Sequence, residues 1–207
     1  MALKTAPKAL LLDLGNVIFE LDWEKPIQTL GLRGSRLEKI LLHQIQAWGP
    51  YDQYERGKLT TDEFLIFLNQ NCDHPIKRAD FLEAWQSLIA GYFIGMEELL
   101  EKLSDTLPLY ALTNTNPAHY DYILSLKGMS HFRQIFSSVT TGFRKPENQI
   151  FETVLETLEL PPEEILYIDD TESHVEAAKA LGFRAEVFRG SSATDLIRVL
   201  WRHRIEV

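Results

Sequence analysis

The stretch LLLDLGNVIFELD, residues 10–22, drives a leucine run into Asp13 and then turns through Gly15 and Asn16. A continuous apolar run this short suits a strand buried on both faces, as in a parallel sheet. Burial at the end of such a run tends to neutralise a carboxylate, so Asp13 needs a cation nearby to stay charged. Two places on, Gly15 offers that site no side chain.

Comparable runs lie at 107–113 (LPLYALT), 165–169 (ILYID) and 184–188 (RAEVF), with a weaker fifth at 137–141 (SSVTT). Helical patterns separate most of them. Met96, Leu99, Leu100 and Leu103 form one, and Ile150, Val154, Leu155 and Leu158 another. Val175, Ala178 and Leu181 form a third, closed by Gly182, and Thr194 as N-cap opens a last helix with Leu196, Ile197, Leu200 and Trp201. This alternation predicts an α/β fold, a doubly wound, Rossmann-like parallel sheet. Residues 20–90 break it, because they hold no convincing strand. Leu37, Ile40, Leu41, Ile45 and Trp48 mark one amphipathic helix, and Thr60 with Glu63 and Asp80 with Glu83 resemble capping boxes. The chain therefore divides into a core of 1–19 plus 91–207 and an all-helical insertion at 20–90.

Composition limits the partners. A hydrophobic content of 45% with 25% charged residues is that of an ordinary soluble globular protein. The formal net charge of −9 disfavours a nucleic-acid surface. One cysteine, Cys72, excludes a disulfide or a thiolate cluster within the chain, and the six histidines show no short ligand spacing. The four apolar residues before Asp13 are too few for a signal-peptide core or a membrane span, so the expectation is a cytoplasmic protein without membrane contact. A monomer or weak homodimer is expected, with Trp201 packed on its own sheet.

In open α/β sheets ligands bind beyond the carboxyl ends of the strands. There the sequence puts Asp13, Thr113–Asn114 and Asp169–Asp170, and Lys145 stands in GFRKPENQIF just before Pro146. Singly, an Asp or Asn after a strand is most often a turn former or helix cap. Adjacent carboxylates at a buried strand end, however, repel each other unless a cation lies between them. Hard oxygen ligands of this kind suit Mg²⁺. A nucleophilic carboxylate, a hydroxyl, a lysine and a metal-binding acid on one sheet edge together suit phosphoryl transfer.

LLLDLGNVI, LYALTNTN, GFRKPENQIF and LYIDDTESHVEAAKALG, in that order, resemble the four motifs of the haloacid dehalogenase-like (HAD) hydrolases. Residues 20–90 resemble the helical cap of that family. Through DLGNVI, LTNTN, RKPE and YERGKLTTDEF the chain is similar to the phosphatase subgroup that includes α-D-glucose-1-phosphate phosphatase. The resemblance implies that Asp13 attacks phosphorus and becomes an aspartyl phosphate. It implies that Thr113, Asn114 and Lys145 hold the phosphoryl group. Mg²⁺ would rest on Asp13, the Gly15 carbonyl and Asp170, with Asp169 in support. The implied partner is a small phosphorylated metabolite, sugar phosphates first.

Two positions depart from the family pattern. Most phosphatases of the family carry a second aspartate where Gly15 stands, to protonate the leaving oxygen and later activate water. Asp22 and Asp169 are candidates to replace it on charge alone. The second departure is His174, where relatives usually have Asp or Asn supporting the metal site; protonated, it would repel Mg²⁺. Metal-free dehalogenation fits Asp169–Asp170 and Gly15 poorly. Most aromatics of the insertion belong at helical spacing to a core, with Trp48, Tyr51 and Tyr54 the better candidates to face a ligand. A second reading is a catalytically impaired member that binds a phosphometabolite or a protein partner without turnover.

Overall fold

The computed structural model describes residues 5–45 and 48–207. Among the described residues seven strands run in chain order: β1 (Ala9–Leu12), β2 (Phe19–Leu21), β3 (Ile89–Tyr92), β4 (Leu109–Thr113), β5 (Gln134–Ser137), β6 (Ile165–Asp169) and β7 (Arg184–Val187). Five form a parallel sheet in the order β5-β4-β1-β6-β7. The leucine run is the middle strand, and its alternation explains why it reads as continuously apolar. Leu10 and Leu12 face one layer with Leu99, Leu103, Leu196 and Leu200. Ala9 and Leu11 face the other with Ile150, Phe151, Val154 and Val175. Both faces are covered by helices, as a parallel sheet requires. Pairing Leu12 with Ala111 on one side and Ile168 on the other brings Asp13, Thr113 and Asp169 to one edge.

The insertion has a separate apolar cluster around Tyr54, Phe64, Phe81 and Trp85. Thr60 accepts from Glu63 N while Glu63 reaches back to Thr60 N, the expected capping box for Thr61–Asn69. The insertion is helical except at its two ends, where β2 and β3 pair antiparallel. That ribbon was invisible in sequence because β2 is three residues long and β3 carries Gly91 at φ 137°.

Other local expectations are corrected by capping chemistry. The fifth strand lies at Gln134–Ser137, while Ser138–Thr141 is a helical turn: the Ser137 hydroxyl accepts from Thr140 N and Gly142 closes the turn at φ 77°. The β propensity of Val and Thr loses there to a local cap. Asp80 sits in the first turn of Arg78–Gln86 rather than capping it, and Ser192, not Thr194, caps Ala193–Arg202. The segment 37–48 is a short helix, Arg36–Lys39, running into a π-helix at Ile40–Gln44, and residues 46–47 of that expected helix lie outside the described residues. Trp201 is 61% exposed rather than packed on the sheet. Among the described residues no helix is long and apolar enough to cross a membrane.

Insertion and core meet at Trp85, whose ring stacks on His119 at 5.5 Å. The His119 Nε2 lies 2.7 Å from the Trp85 carbonyl, and Asn116 Nδ2 lies 3.0 Å from Nδ1. With Nε2–H donating and Nδ1 accepting, the ring is neutral. Burial pushes its pKa down from 6.5 to about 4, although the Trp85 carbonyl opposes this. A group whose folded pKa is depressed in this way binds more protons unfolded, so stability present above pH 6.5 is lost as pH falls towards 4. That loss should reach roughly 3 kcal/mol at the acid end. Denaturant unfolding across pH 4–7 checks it: His119→Gln should flatten this slope, and an unchanged slope would refute the assignment.

Candidate active site

Asp13 leaves β1 with its amide donating to Ile168 O at 2.9 Å and its Oδ1 accepting from Leu14 N at 2.7 Å. The chain then coils back, Ile18 N and Phe19 N both donating to Leu14 O, with Asn16 in the left-handed region at φ 52°. Asn tolerates that conformation better than most residues. Its amide reaches across to Asp170 Oδ2 at 3.1 Å, tying the first loop to the end of β6.

Lys145 comes from the loop after Gly142. Its backbone is clasped by the Asn114 side chain, which accepts from Lys145 N at 2.8 Å and donates to Lys145 O at 3.0 Å. So held, Nζ donates to Leu112 O at 2.9 Å and to Asp169 Oδ2 at 2.6 Å, and pairs with Asp13 Oδ1 at 2.9 Å. Because the Asn114 amide is spent on this clasp, its backbone is the part left to meet a ligand.

The two acids of β6 have different surroundings. Asp169 is fully buried and accepts from Lys145, the Tyr167 hydroxyl and Thr171 N, with His174 Nδ1 at 3.1 Å from both its oxygens. Burial works against its charge, but Lys145 and His174 outweigh burial and hold the carboxyl well below its usual range. Asp170 instead lines a cavity of about 580 Å³ with Asp13, Gly15, Thr113 and Lys145. Its Oδ1 accepts from the Thr171 hydroxyl at 3.0 Å. His174 therefore braces Asp169 and lines the same cavity as Asp170.

Burial pushes Asp13 up to about 7; Lys145 pulls it down, and Asp169 and Asp170 add to the rise. Oxygens of Asp13, Asp169 and Asp170 lie within 4.8 Å of one another, three carboxylates against one ammonium. The donors that face the cavity are hard oxygens with unbalanced negative charge, which fits a hard dication such as Mg²⁺. Asp13, Asp170 and the Gly15 carbonyl are the residues that would hold it, with Asp169 pinning Lys145 beneath them.

The strand-end residues expected from sequence thus gather at one place. Asp22 does not join them: its Oδ1 accepts from Glu24 N and Lys25 N at the start of Glu24–Thr29. Of the three aromatics expected to face a ligand, Tyr51 lines the cavity. Tyr54 is fully buried, stacked on Phe64 at 4.2 Å, and Trp48 packs against the same ring at 5.7 Å. Trp23 lines the cavity instead.

An ionic cluster between insertion and core was not foreseen. Arg56 grips Glu147 with Nη2–Oε1 2.5 Å and Nη1–Oε2 3.0 Å, and pairs with Asp52 at 3.0 Å. Arg144 reaches Asp52 at 2.7 Å and Glu55 at 2.6 Å. The Asp52–Arg56 spacing of four was readable as a helical pair. The partners across 86 to 92 residues were not.

The family profile described as haloacid dehalogenase-like hydrolase matches residues 7–182. The chain is 28% identical over 212 residues to a D-ribitol-5-phosphate phosphatase of Bacteroides thetaiotaomicron, covering 97% of each. It is 28% identical over 190 residues to a sesquiterpene phosphatase of Aspergillus oryzae, covering 86% of this chain and 88% of that protein. A HAD family enzyme from Bacteroides thetaiotaomicron, solved with magnesium and inorganic phosphate, superposes with a TM-score of 0.79 at 28% identity, over 93% of this chain and 100% of that one. Motif order, a five-stranded parallel sheet with the acids on its carboxyl edge, and these likenesses agree: the chain belongs to the haloacid dehalogenase-like hydrolase family.

Proposed function

We propose that this protein is a Mg²⁺-dependent phosphatase that hydrolyses small phosphate esters, sugar phosphates foremost, through an aspartyl phosphate on Asp13. We also propose the division into a catalytic core, 1–19 plus 91–207, and a cap, 20–90. The observation that carries the reading is the Asp13–Lys145 pair, 2.9 Å apart at the floor of a cavity that the three-carboxylate cluster borders. Phosphatases among the similar proteins, and the magnesium and phosphate held by one solved relative, support it.

In this mechanism the Thr113 hydroxyl, the backbone after it and Lys145 receive the phosphoryl oxygens. Lys145, shared between Asp13 and Asp169, fixes the nucleophile's rotamer and neutralises charge that builds in the transition state. Asp13, Asp170 and the Gly15 carbonyl would hold Mg²⁺, which would supply positive charge to the phosphoryl oxygens and favour the ionised form of Asp13 despite its burial. The cap closes the cavity with Trp23, Tyr51 and Glu55, a wall of two aromatic rings, one hydroxyl and one carboxyl that fits a polyhydroxylated leaving group. Both arginines near that wall are already committed to carboxylates, so a second phosphate finds no spare cation there.

The test is phosphate release from a panel of sugar, nucleotide and acyl phosphates, with and without Mg²⁺. Asp13→Asn should lower Mg²⁺-dependent turnover at least ~10³-fold. Turnover that survives Asp13→Asn would sink the aspartyl-phosphate route.

A further inference from the structure

With glycine at position 15, the reaction needs another proton donor for the leaving oxygen, and the structure narrows the choice. Asp22 is engaged in its helix cap. Asp169 is saturated and held ionised. Among the described residues four carboxylates line the cavity: Asp13, Glu55, Glu147 and Asp170. Asp13 is the nucleophile and Asp170 the metal-facing acid. Glu147 is gripped by Arg56 and accepts from Arg144 N at 3.1 Å, with its pKa lowered by these partners. The remaining one is Glu55.

We propose that Glu55, carried by the cap, is the general acid and base that takes over the role of the aspartate missing at Gly15. This rests on the phosphatase reading above. Glu55 ends the helix Gly49–Glu55 of the insertion, is only 3% exposed, and lines the same cavity as Asp13. A leaving group held in that cavity, with its phosphoryl group on Asp13, would have Glu55 on its wall. Tyr51, one turn earlier, hydrogen-bonds the Glu55 carboxylate, and Arg144 pairs with Oε2 at 2.6 Å, so the side chain is fixed in direction. Burial pushes its pKa up to about 6; Arg144, the Tyr51 hydroxyl and Lys145 pull it down, and Asp52 pushes it up. Arg56 and Glu147 neutralise each other beside it, and His119, also on the cavity wall, is neutral. A carboxyl titrating near 6 is suited to give a proton and take one back near neutrality.

The steps balance. An Asp13 oxygen bonds to phosphorus as the bond to the ester oxygen breaks, and the departing oxygen takes the Glu55 proton and leaves as an alcohol. Glu55, now a carboxylate, accepts a proton from water as the water oxygen attacks the acyl phosphate. The bond between phosphorus and Asp13 breaks, releasing phosphate, a free Asp13 carboxylate and protonated Glu55.

The experiment compares two esters with Mg²⁺, p-nitrophenyl phosphate, whose leaving group needs no proton, and a sugar phosphate with an alkoxide leaving group. In the first turnover, Glu55→Gln should slow alcohol release from the sugar phosphate by about 10²–10⁴-fold and leave release of p-nitrophenol nearly untouched, while steady-state kcat falls on both esters because the acyl phosphate they share loses its base. The wild-type rate on the sugar phosphate should fall as pH rises through the Glu55 titration, and this limb should be missing in Glu55→Gln. Tyr51→Phe, which removes a bond favouring the carboxylate, should move the limb to higher pH. Equal slowing of first-turnover release from both esters, or an unmoved limb, overturns the role of Glu55 while leaving the phosphatase reading intact. A wild-type protein that hydrolyses neither ester overturns that reading and this inference with it.

Discussion

Lys145→Met is expected to abolish turnover, by at least ~10³-fold, and to cost the fold about 3–5 kcal/mol. The Lys145 side chain is 0% exposed, and its ammonium serves three acceptors at once: Asp13, Asp169 and the Leu112 carbonyl. Methionine fills the space of the stem but leaves two buried carboxylates facing each other without their counter-charge. Asp13 already sits up at about 7 with Lys145 in place, because burial dominates its surroundings. Without the ammonium its pKa rises further, so Asp13 depends on Mg²⁺ alone to stay a carboxylate, and the phosphoryl oxygens lose the cation that neutralises them. Lys145→Arg should rescue little, since a planar guanidinium cannot occupy the point reached by a single Nζ between three oxygens. Urea unfolding and phosphate release at pH 7 check both halves. A variant as stable as wild type would show that the three acceptors do not depend on this charge.

How much of this was legible in the chain follows from the range of the interactions. The run from Leu10 to Asp13 revealed a buried central strand because alternate leucines meet different layers, a pattern that four residues suffice to show. The strand-end acids were found because polar residues at the ends of apolar runs stand out, and Lys145 because it stands just before Pro146 in a stretch that resembles a family motif. The capping box at Thr60 and Glu63 was legible because its two partners are three residues apart. Short local competitions went the other way. Ser137 captured Thr140 N and turned an apparent strand into a helical turn, and the β2–β3 ribbon was too short for any period to appear. The differing roles of Asp169 and Asp170 were not in the sequence beyond resemblance. They follow from which carboxylate the sheet turns inward, under Lys145, and which the loop leaves on the cavity. Glu55 was hidden for the same reason: it reads as a charged residue on a helix, yet the chain fold buries it against Arg144.

Arg144→Met carries the second large effect. One guanidinium, 12% exposed, bridges Asp52 at 2.7 Å and Glu55 at 2.6 Å, both on the cap, from a position next to Lys145 in the core. Removing it leaves Glu55 buried beside Asp52 with no strong counter-charge, since Arg56 is turned to Glu147. Breaking a buried pair from one side costs about 3–5 kcal/mol, and the exposed share of Asp52 puts this case toward the lower end. Part of the cost should vanish in acid. Glu55 titrates near 6 with Arg144 present, and losing the cation raises that value. The variant should therefore approach wild-type stability as pH falls through and below the new titration, where Glu55 is neutral and needs no partner. Arg144→Lys should recover only a fraction, because one ammonium cannot span two carboxylates as the fork does. Unfolding free energies at pH 5 and pH 8 decide it: a gap between wild type and Arg144→Met of the same size at both would mean that Arg144 acts through packing, not charge. The same loss should loosen the cap against the loop that carries Lys145. KM for a sugar phosphate should then rise along with the fall in kcat, whereas Glu55→Gln, which leaves Arg144 paired to Asp52, should act on kcat alone.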